Sequence, residues 1–151
     1  MDKKYESNKD KNYITNLNLS TLIVFTRAEQ KIHKIEYETI KAGGLTNSQF
    51  AVLEVLYSKG DLKICEIIEK ILTTSGNVTV VIKNLEKDGL VSKKIDPEDK
   101  RSMLISITDK GKKVMDEIFP KHVDNINKIF DILTIEEKLE LKKILKKFRD
   151  V

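Results

Sequence analysis

The segment from Ser75 to Lys87 separates its residues onto two faces if it forms a helix. Val78, Val81, Ile82 and Leu85 recur at helical spacing and are predicted to pack inward. The opposite face carries short hydrogen-bonding side chains, one small apolar side chain and lysines, at Gly76, Asn77, Thr79, Val80, Lys83, Asn84 and Lys87. Asn and Thr can bond the edges of bases, Val can contact a thymine methyl group, and Lys can bind guanine or phosphate.

The residues on this face therefore predict binding in the major groove of double-stranded DNA. Thr74 and Ser75, in the polar turn before the helix, belong to the candidate set, as does Gly76, where the backbone can approach a phosphate. The alternative is a helix face that is merely solvated. An outward Val80 argues against that alternative, because such a face ordinarily carries Lys or Glu.

A second group of candidate residues lies in the polar turn Asp96-Pro97-Glu98-Asp99-Lys100-Arg101. The chain has 25 lysines and only three arginines, so lysine is its usual source of positive charge. An arginine at this turn indicates a need for the planar, weakly hydrated guanidinium, which suits a narrow minor groove. Asp99 is placed to pair with Arg101 and hold its orientation, and Lys93 and Lys100 complete the group. The alternative is an ordinary surface ion pair.

The apolar periodicity predicts the elements that position both groups. Residues 1–12 are charged and are expected to form a loose arm. Helices are predicted from Leu17 to Ile40, from Thr46 to Gly60, near Leu62 to Leu72, from Ser75 to Asp88, and from Thr108 and Thr134 onward. Strands are predicted at Val91–Ile95 and Ser102–Ile107. The predicted fold is mainly α with a small β-hairpin wing, a winged helix-turn-helix.

The composition of the chain restricts the classes of function. It has 151 residues and a net charge of +4, but the segment from Gly60 to Thr108 contains eight basic and eight acidic residues. Charge alone therefore does not indicate DNA binding. No apolar run approaches the roughly 18 residues of a membrane span, and the first residues lack a signal-peptide core, so a cytoplasmic protein without membrane association is expected. The single cysteine fits a reducing compartment.

Several motifs occur in an order that is specific to one family. They are Leu45-Thr46 through Gln49-Phe50-Ala51-Val52-Leu53, Thr74-Ser75-Gly76-Asn77-Val78-Thr79, Leu85-Glu86-Lys87-Asp88-Gly89-Leu90-Val91, Asp96-Pro97-Glu98-Asp99-Lys100-Arg101-Ser102 and Thr108-Asp109-Lys110-Gly111. From about Leu19 to Phe148 the chain resembles the MarR family, the multiple-antibiotic-resistance regulators. The family's wing motif maps onto Asp99-Lys100-Arg101, and its recognition helix maps onto Ser75–Lys87.

This resemblance implies a DNA-binding transcription regulator, by default a repressor, that recognises a near-palindromic operator. It implies an intertwined homodimer in which residues 13–47 and 109–151 form the dimerisation helices and residues 48–108 form the winged lobe, all within a single unit of residues 1–151. Apolar stripes on the outer helices favour a dimer independently, because a small lobe cannot cover them. The resemblance also implies release by an unknown small-molecule effector, with His33, Tyr37 and Phe50 as candidate pocket residues or, alternatively, ordinary packing positions.

The sequence also bears on functions other than DNA binding. An enzyme is not expected, because no nucleophile with a matching base and no phosphate-binding glycine loop is present. No metal site or cofactor is expected from His33 with Glu36 or from His122 with Asp124. Cys65 is expected to be an inert thiol, with a redox switch as the alternative. A winged helix that binds a protein partner remains open.

Overall fold

The computed structural model describes residues 8–71 and 75–149, with side-chain surroundings described for residues 11–71 and 77–149. Within these residues the elements follow one another as helix, helix, strand, two helices, two strands and two helices. They are α1 (Asn8–Ala42), α2 (Asn47–Lys59), β1 (Leu62–Lys63), α3 (Ile64–Lys70), α4 (Ser75–Lys87), β2 (Val91–Ile95), β3 (Met103–Ile107), α5 (Asp109–Phe130) and α6 (Ile135–Lys146). The mainly helical class with a small β wing is confirmed.

The chain divides into two units, Met1–Ile35 and Glu36–Val151. The described part of the first unit is helical from Asn8, so the loose arm predicted for residues 1–12 is wrong for residues 8–12. Their sequence, Asn8-Lys9-Asp10-Lys11-Asn12, is polar but contains no glycine or proline that would end a helix. The part of the arm before Asn8 lies outside the described residues.

The second unit is built around one apolar core. Side chains from α2, α3, α4, the sheet and α5 meet there and are almost completely buried: Leu53, Leu56, Ile67, Val78, Ile82, Leu85, Val91, Ile105 and Met115. Burying one side chain of this kind stabilises a fold by about 1.5–3 kcal/mol. The core therefore fixes the helix-turn-helix elements and the base of the hairpin relative to one another.

Helices α2 and α6 begin where cap-forming residues occur in the sequence, as predicted. The Thr46 hydroxyl accepts a hydrogen bond from the Gln49 N–H at 3.2 Å, and the Gln49 side chain accepts one from the Thr46 N–H at 3.0 Å. Thr134 and Glu137 form the same reciprocal pair at the start of α6. Each pair satisfies two amides that a helix start leaves without partners.

The sheet has three strands rather than the two that were predicted. β3 lies between β1 and β2 and is antiparallel to both, with Leu62 opposite Ile105 and Val91 opposite Ile107. The short helix predicted near Leu62 is present as α3, but it begins at Ile64, because Leu62 and Lys63 are extended and pair with β3. The Glu66 carboxylate accepts a hydrogen bond from the Lys63 N–H at 2.8 Å and so caps α3 there. Leu72, the predicted end, lies outside the described residues.

The base of the hairpin is joined to α5 by Thr108 and Gly111. The Thr108 N–H donates to the Leu90 carbonyl at 3.0 Å, and the Thr108 hydroxyl donates to the Gly89 carbonyl at 2.7 Å. That hydroxyl also accepts a hydrogen bond from the Gly111 N–H at 3.0 Å. Gly111 is buried, and a Cβ atom there would collide with the Leu90 carbonyl and lie 2.7 Å from Cγ1 of Ile107. The helix approaches the hairpin this closely only because residue 111 is glycine.

Candidate nucleic-acid interface

Helix α4 has the bounds and the two faces predicted from the sequence. It spans Ser75–Lys87, and Val78, Val81, Ile82 and Leu85 are buried. Through this face α4 packs against α2, α3 and β2. Because four side chains on one face are buried, the rotation of α4 about its own axis is fixed, and the opposite face must point outward.

The outward face of α4 is exposed at every predicted position whose side chain is described: Asn77, Thr79, Val80, Lys83, Asn84 and Lys87. Val80 is 54% exposed although it is apolar. The backbones of Ser75 and Gly76 lie in the first turn of α4, while their side-chain surroundings, and Thr74 altogether, lie outside the described residues. The arrangement presents hydrogen-bonding groups, a methyl-bearing side chain and two cations on a single helix face.

The turn between β2 and β3 carries Lys100 and Arg101 on its exposed surface. Asp99 was expected to pair with the Arg101 guanidinium, and the structure corrects this. One oxygen of Asp99 accepts a hydrogen bond from the Arg101 backbone N–H at 3.0 Å, and the other accepts one from the Ser102 hydroxyl at 2.6 Å. A carboxylate reaches a backbone amide two residues ahead at less entropic cost than it holds a long side chain. Asp99 therefore shapes the turn and leaves the guanidinium of Arg101 unpaired by it.

Hydrogen bonding favours the ionised form of two carboxylates in this turn, Asp96 and Asp99. The Ser102 hydroxyl and the Arg101 N–H hold the pKa of Asp99 below its ordinary value. The pKa of Asp96 is also lowered, first by the Glu98 N–H and then by Lys63. Both carboxylates are thus used within the protein as hydrogen-bond acceptors.

The segment from Gly60 to Thr108 has equal numbers of acidic and basic residues, but only some of these charges form ion pairs within the protein. Lys93, a predicted DNA contact, lies with its Nζ atom 2.8 Å from Oε2 of Glu86 on α4. Two further lysines of this region are paired, Lys63 with Asp96 and Lys94 with Asp61. In the part of the chain that the structure describes, no carboxylate lies within ion-pair distance of the four exposed cations Lys83, Lys87, Lys100 and Arg101. The outward side of α4 therefore carries unpaired positive charge, and the turn carries two unpaired cations beside the exposed carboxylate of Glu98.

The three candidate effector residues lie in different surroundings. Phe50 is buried in the core, Tyr37 is partly buried against it, and His33 lies 3.3 Å from Glu29 on the same helix. Phe50 and Tyr37 thus fit the packing interpretation. A cavity of about 250 Å³ is lined instead by the end of α1 and by α5, through Thr39, Ala42, Gly43, Val114, Glu117, Ile118 and Lys121.

His122 is buried, which was not predicted from the sequence. Its ring lies 4.6 Å from the ring of Phe50, its Nδ1 atom is 3.4 Å from the Thr39 hydroxyl, and its Nε2 atom is 3.9 Å from Glu36. Burial raises the pKa of the nearby Glu54; His122 opposes this shift and Glu36 adds to it. The spacing of residues on α5 could have indicated this burial, because position 122 lies on the same helix face as Met115 and Ile118.

The remaining alternatives can be located in the structure. Cys65 is an exposed free thiol on α3. No group of three or more His, Cys, Asp or Glu side chains among the described residues could hold a metal ion. Within those residues, no helix combines the length and the apolar character needed to span a membrane.

The sequence matches known transcription regulators over most of its length. The profile of the MarR family matches residues 45–103. An uncharacterized HTH-type transcriptional regulator of Bacillus subtilis (strain 168), YkoM, is 40% identical over 124 residues, which cover 82% of this chain and 80% of YkoM. The HTH-type transcriptional regulator MhqR of the same organism is 38% identical over 124 residues, covering 82% of this chain and 86% of MhqR.

A solved structure agrees with these relatives. The structure of Bordetella bronchiseptica BpsR, whose DNA binding is regulated by 6-hydroxynicotinic acid, superposes with a TM-score of 0.75 at 26% identity, covering 85% of this chain and 91% of BpsR. The relatives are transcription regulators and not enzymes, which agrees with the expectation from the sequence. With two relatives near 40% identity and a winged helix-turn-helix fold, the chain belongs to the MarR family of DNA-binding transcription regulators.

Proposed function

We propose that this regulator represses transcription as a cytoplasmic homodimer bound to a near-palindromic operator, with α4 in the major groove and the β2–β3 turn in the minor groove. The observation that carries the proposal is the outward face of α4. It exposes Asn77, Thr79, Val80 and Lys83, while Glu86 on the same helix forms an ion pair with Lys93 within the protein. Thr74, Ser75, Gly76, Lys93, Asp99, Lys100 and Arg101 remain in the proposed DNA-binding set.

Lys93 and Asp99 enter this set in changed roles. Lys93 can reach a phosphate only by leaving Glu86, which lies 2.8 Å away. Asp99 contributes by holding the turn that carries Arg101. Arg101, whose side chain is exposed at that turn, is the residue proposed to enter the minor groove.

The homodimer is supported by apolar side chains that a single chain leaves uncovered. α6 buries no residue within the protomer, and Ile135 and Leu139 on it are 71% and 60% exposed. Leu22 and Phe25 on α1 are exposed to a similar degree. Apolar area of this extent indicates an interface. Residues 13–47 and 109–151 are proposed to form the dimer and residues 48–108 the DNA-binding lobe, so that a two-fold axis places two α4 helices about 34 Å apart, one turn of DNA.

Release by a small molecule is the remaining part of the proposal. It is supported by BpsR, whose DNA binding responds to 6-hydroxynicotinic acid, and by the cavity of about 250 Å³ between α5 and the end of α1. His33, Tyr37 and Phe50 remain the candidate effector residues from the sequence, with Phe50 placed in the core. The chemical class of the effector is left to experiment.

The first experiment selects genomic DNA fragments on the purified protein and titrates the preferred fragment at several salt concentrations. A near-palindrome with half-sites about one turn apart, a protein mass of two chains in sedimentation and a steep fall of affinity with salt are expected. Weak binding to every fragment, with no salt dependence, would instead favour a winged helix that binds a protein partner.

The wing is tested with Arg101→Ala and Arg101→Lys. Arg101→Ala is expected to weaken operator binding by about 1–3 kcal/mol and to leave the fold intact, because the exposed turn supports little of the core. Arg101→Lys keeps the charge, so it is expected to recover only part of the loss. Lys113→Ala removes one charge from an exposed position on α5 and is the control. Unchanged affinity in folded Arg101→Ala protein would refute the minor-groove role.

A further inference from the structure

Three ion pairs connect the β2–β3 hairpin to the rest of the winged lobe. Lys93 on β2 pairs with Glu86 on α4, and Lys94 on β2 pairs with Asp61 before β1. The third pair joins Lys63 on β1 to Asp96, with 3.0 Å between Nζ and Oδ2. The Asp96 side chain is only 8% exposed, whereas the carboxylates of Glu86 and Asp61 are 38% and 39% exposed. Of the three pairs, the Asp96 pair is the least screened by solvent.

Asp96 also holds the start of the turn through bonds of its own. Its Oδ1 atom accepts a hydrogen bond from the Glu98 N–H at 2.9 Å, and its backbone N–H donates to the Ser102 carbonyl at 3.0 Å. The buried residue Asp96 thus joins the two ends of the turn and also binds a lysine on a different strand. Lys63 is the residue immediately before α3, the first helix of the helix-turn-helix.

Asp96 is the first residue after β2, so its contact with Lys63 can determine the direction of the turn. The paired strands β2 and β3 end at Ile95 and Met103, and beyond them one backbone hydrogen bond, from the Asp96 N–H to the Ser102 carbonyl, joins the two sides of the turn. Lys94 lies within the paired part of β2, opposite Leu104. Its ion pair with Asp61 therefore acts on a strand that β3 already fixes by backbone pairing. The bond from Asp96 to Lys63 instead acts where the paired strands end.

We propose that Asp96 and Lys63 are positioning residues for DNA recognition, setting the direction of the turn so that Arg101 enters the minor groove while α4 lies in the major groove. This inference rests on the proposed role of Arg101. Asp99 fixes the shape of the turn from within, and the Asp96–Lys63 pair fixes where that turn points relative to the lobe. Neither Asp96 nor Lys63 needs to touch DNA.

The test compares Asp96→Asn with Asp61→Asn, which breaks the exposed pair with Lys94. Both changes remove one negative charge, which by itself strengthens binding to a polyanion. Asp96→Asn is nevertheless expected to weaken operator binding about tenfold, within the range of a lost arginine contact, and Asp61→Asn to change it less than about twofold. Melting temperatures and circular dichroism of both variants establish that they are folded.

A second pair of variants guards against misfolding of Asp96→Asn. Lys63→Met breaks the same ion pair but leaves both turn hydrogen bonds of Asp96 in place, and Lys94→Met is its control for the lost positive charge. Lys63→Met is expected to lose more operator affinity than Lys94→Met. Equal losses in the two lysine variants would overturn the proposal.

The decisive measurement combines Asp96→Asn with Arg101→Ala in a double-mutant cycle. If Asp96 acts through Arg101, the double variant binds no more weakly than Arg101→Ala alone. Hydroxyl-radical footprints are expected to lose the same minor-groove protection in both single variants, while the protection given by α4 remains. Additive losses, or an unaffected Asp96→Asn beside a weakened Arg101→Ala, would overturn the positioning role alone. An unaffected Arg101→Ala would overturn the proposed role of the wing itself.

Discussion

Replacement of Gly111 by alanine tests the close contact between α5 and the base of the hairpin. In an ordinary helix this change stabilises the folded state by about 0.5–1 kcal/mol, because alanine loses less backbone entropy than glycine. At position 111 the added methyl group would collide with the Leu90 carbonyl and lie 2.7 Å from Cγ1 of Ile107. We therefore expect the sign of the effect to be reversed.

The magnitude follows from which atoms would have to move. Overpacking costs about 1–3 kcal/mol, and the upper part of that range applies where a rigid group blocks the site. The Leu90 carbonyl is backbone that accepts a hydrogen bond from the Thr108 N–H at 3.0 Å, so it cannot rotate away as a flexible side chain could. Subtracting the gain in helix propensity leaves a net loss of about 2 kcal/mol in the free energy of unfolding, or roughly 4–8 °C in Tm for a chain of this size.

The assay is urea unfolding followed by circular dichroism at one fixed protein concentration, since association would make the stability depend on concentration. Lys113→Ala, at an exposed position on the same helix, serves as the control and is expected to change stability little. A Gly111→Ala variant as stable as the wild type, with an unchanged dependence on urea, would show that the contact between the helix and the hairpin is looser than described.

Two further predictions concern Cys65 and Glu54. Cys65→Ser is expected to bind the operator as the wild type does, with or without hydrogen peroxide; a peroxide response of the wild type that disappears in the variant would reveal a redox switch. Burial raises the pKa of Glu54, so the Glu54 carboxyl binds its proton more strongly in the folded state than in the unfolded state. Protonation of Glu54 therefore stabilises the folded state, and this stabilisation is lost as the pH rises through the raised pKa. Glu54→Gln is therefore expected to raise Tm at pH 7 and to lose that advantage below about pH 4, near the pKa of an unfolded glutamate; an equal Tm difference at both pH values would contradict this.

The features that the sequence predicted correctly depend on neighbouring residues. The faces of α4 follow from apolar residues three and four positions apart, and the starts of α2 and α6 follow from the side chains of Thr46 and Thr134 bonding amides three residues ahead. Such signals lie within one or two turns of helix. They can be read without knowledge of what packs against the element.

The features that were missed depend on contacts between distant residues or on competition between bonds. β1 has only two residues, too few for any periodicity, and it is defined by its pairing with β3. Asp99 could bond either the guanidinium of Arg101 or the Arg101 N–H and Ser102 hydroxyl, and the sequence could not show which of these it bonds. The burial of His122 depends on Phe50, seventy-two positions away in the chain.

The distribution of charge on the lobe also could not be predicted from the sequence. A count of residues between Gly60 and Thr108 gives equal numbers of acids and bases, although the ion pairs of the hairpin engage Glu86, Asp96 and Asp61. Which charges remain available to DNA is a property of the folded lobe. Composition alone therefore does not show where on the lobe the charges without an ion-pair partner lie.

The exposed apolar side chains of α1 are synthesised well before those of α6. About 110 residues separate Phe25 from Ile135, so at a typical translation rate α6 follows α1 from the ribosome by roughly 5–20 s. During this interval Leu22 and Phe25 lack the helix that is proposed to complete their interface. Under the proposed dimer, chains growing on one messenger RNA are the nearest partners available, and a chain that stops before α6 carries an uncovered apolar helix that chaperones and proteases can recognise.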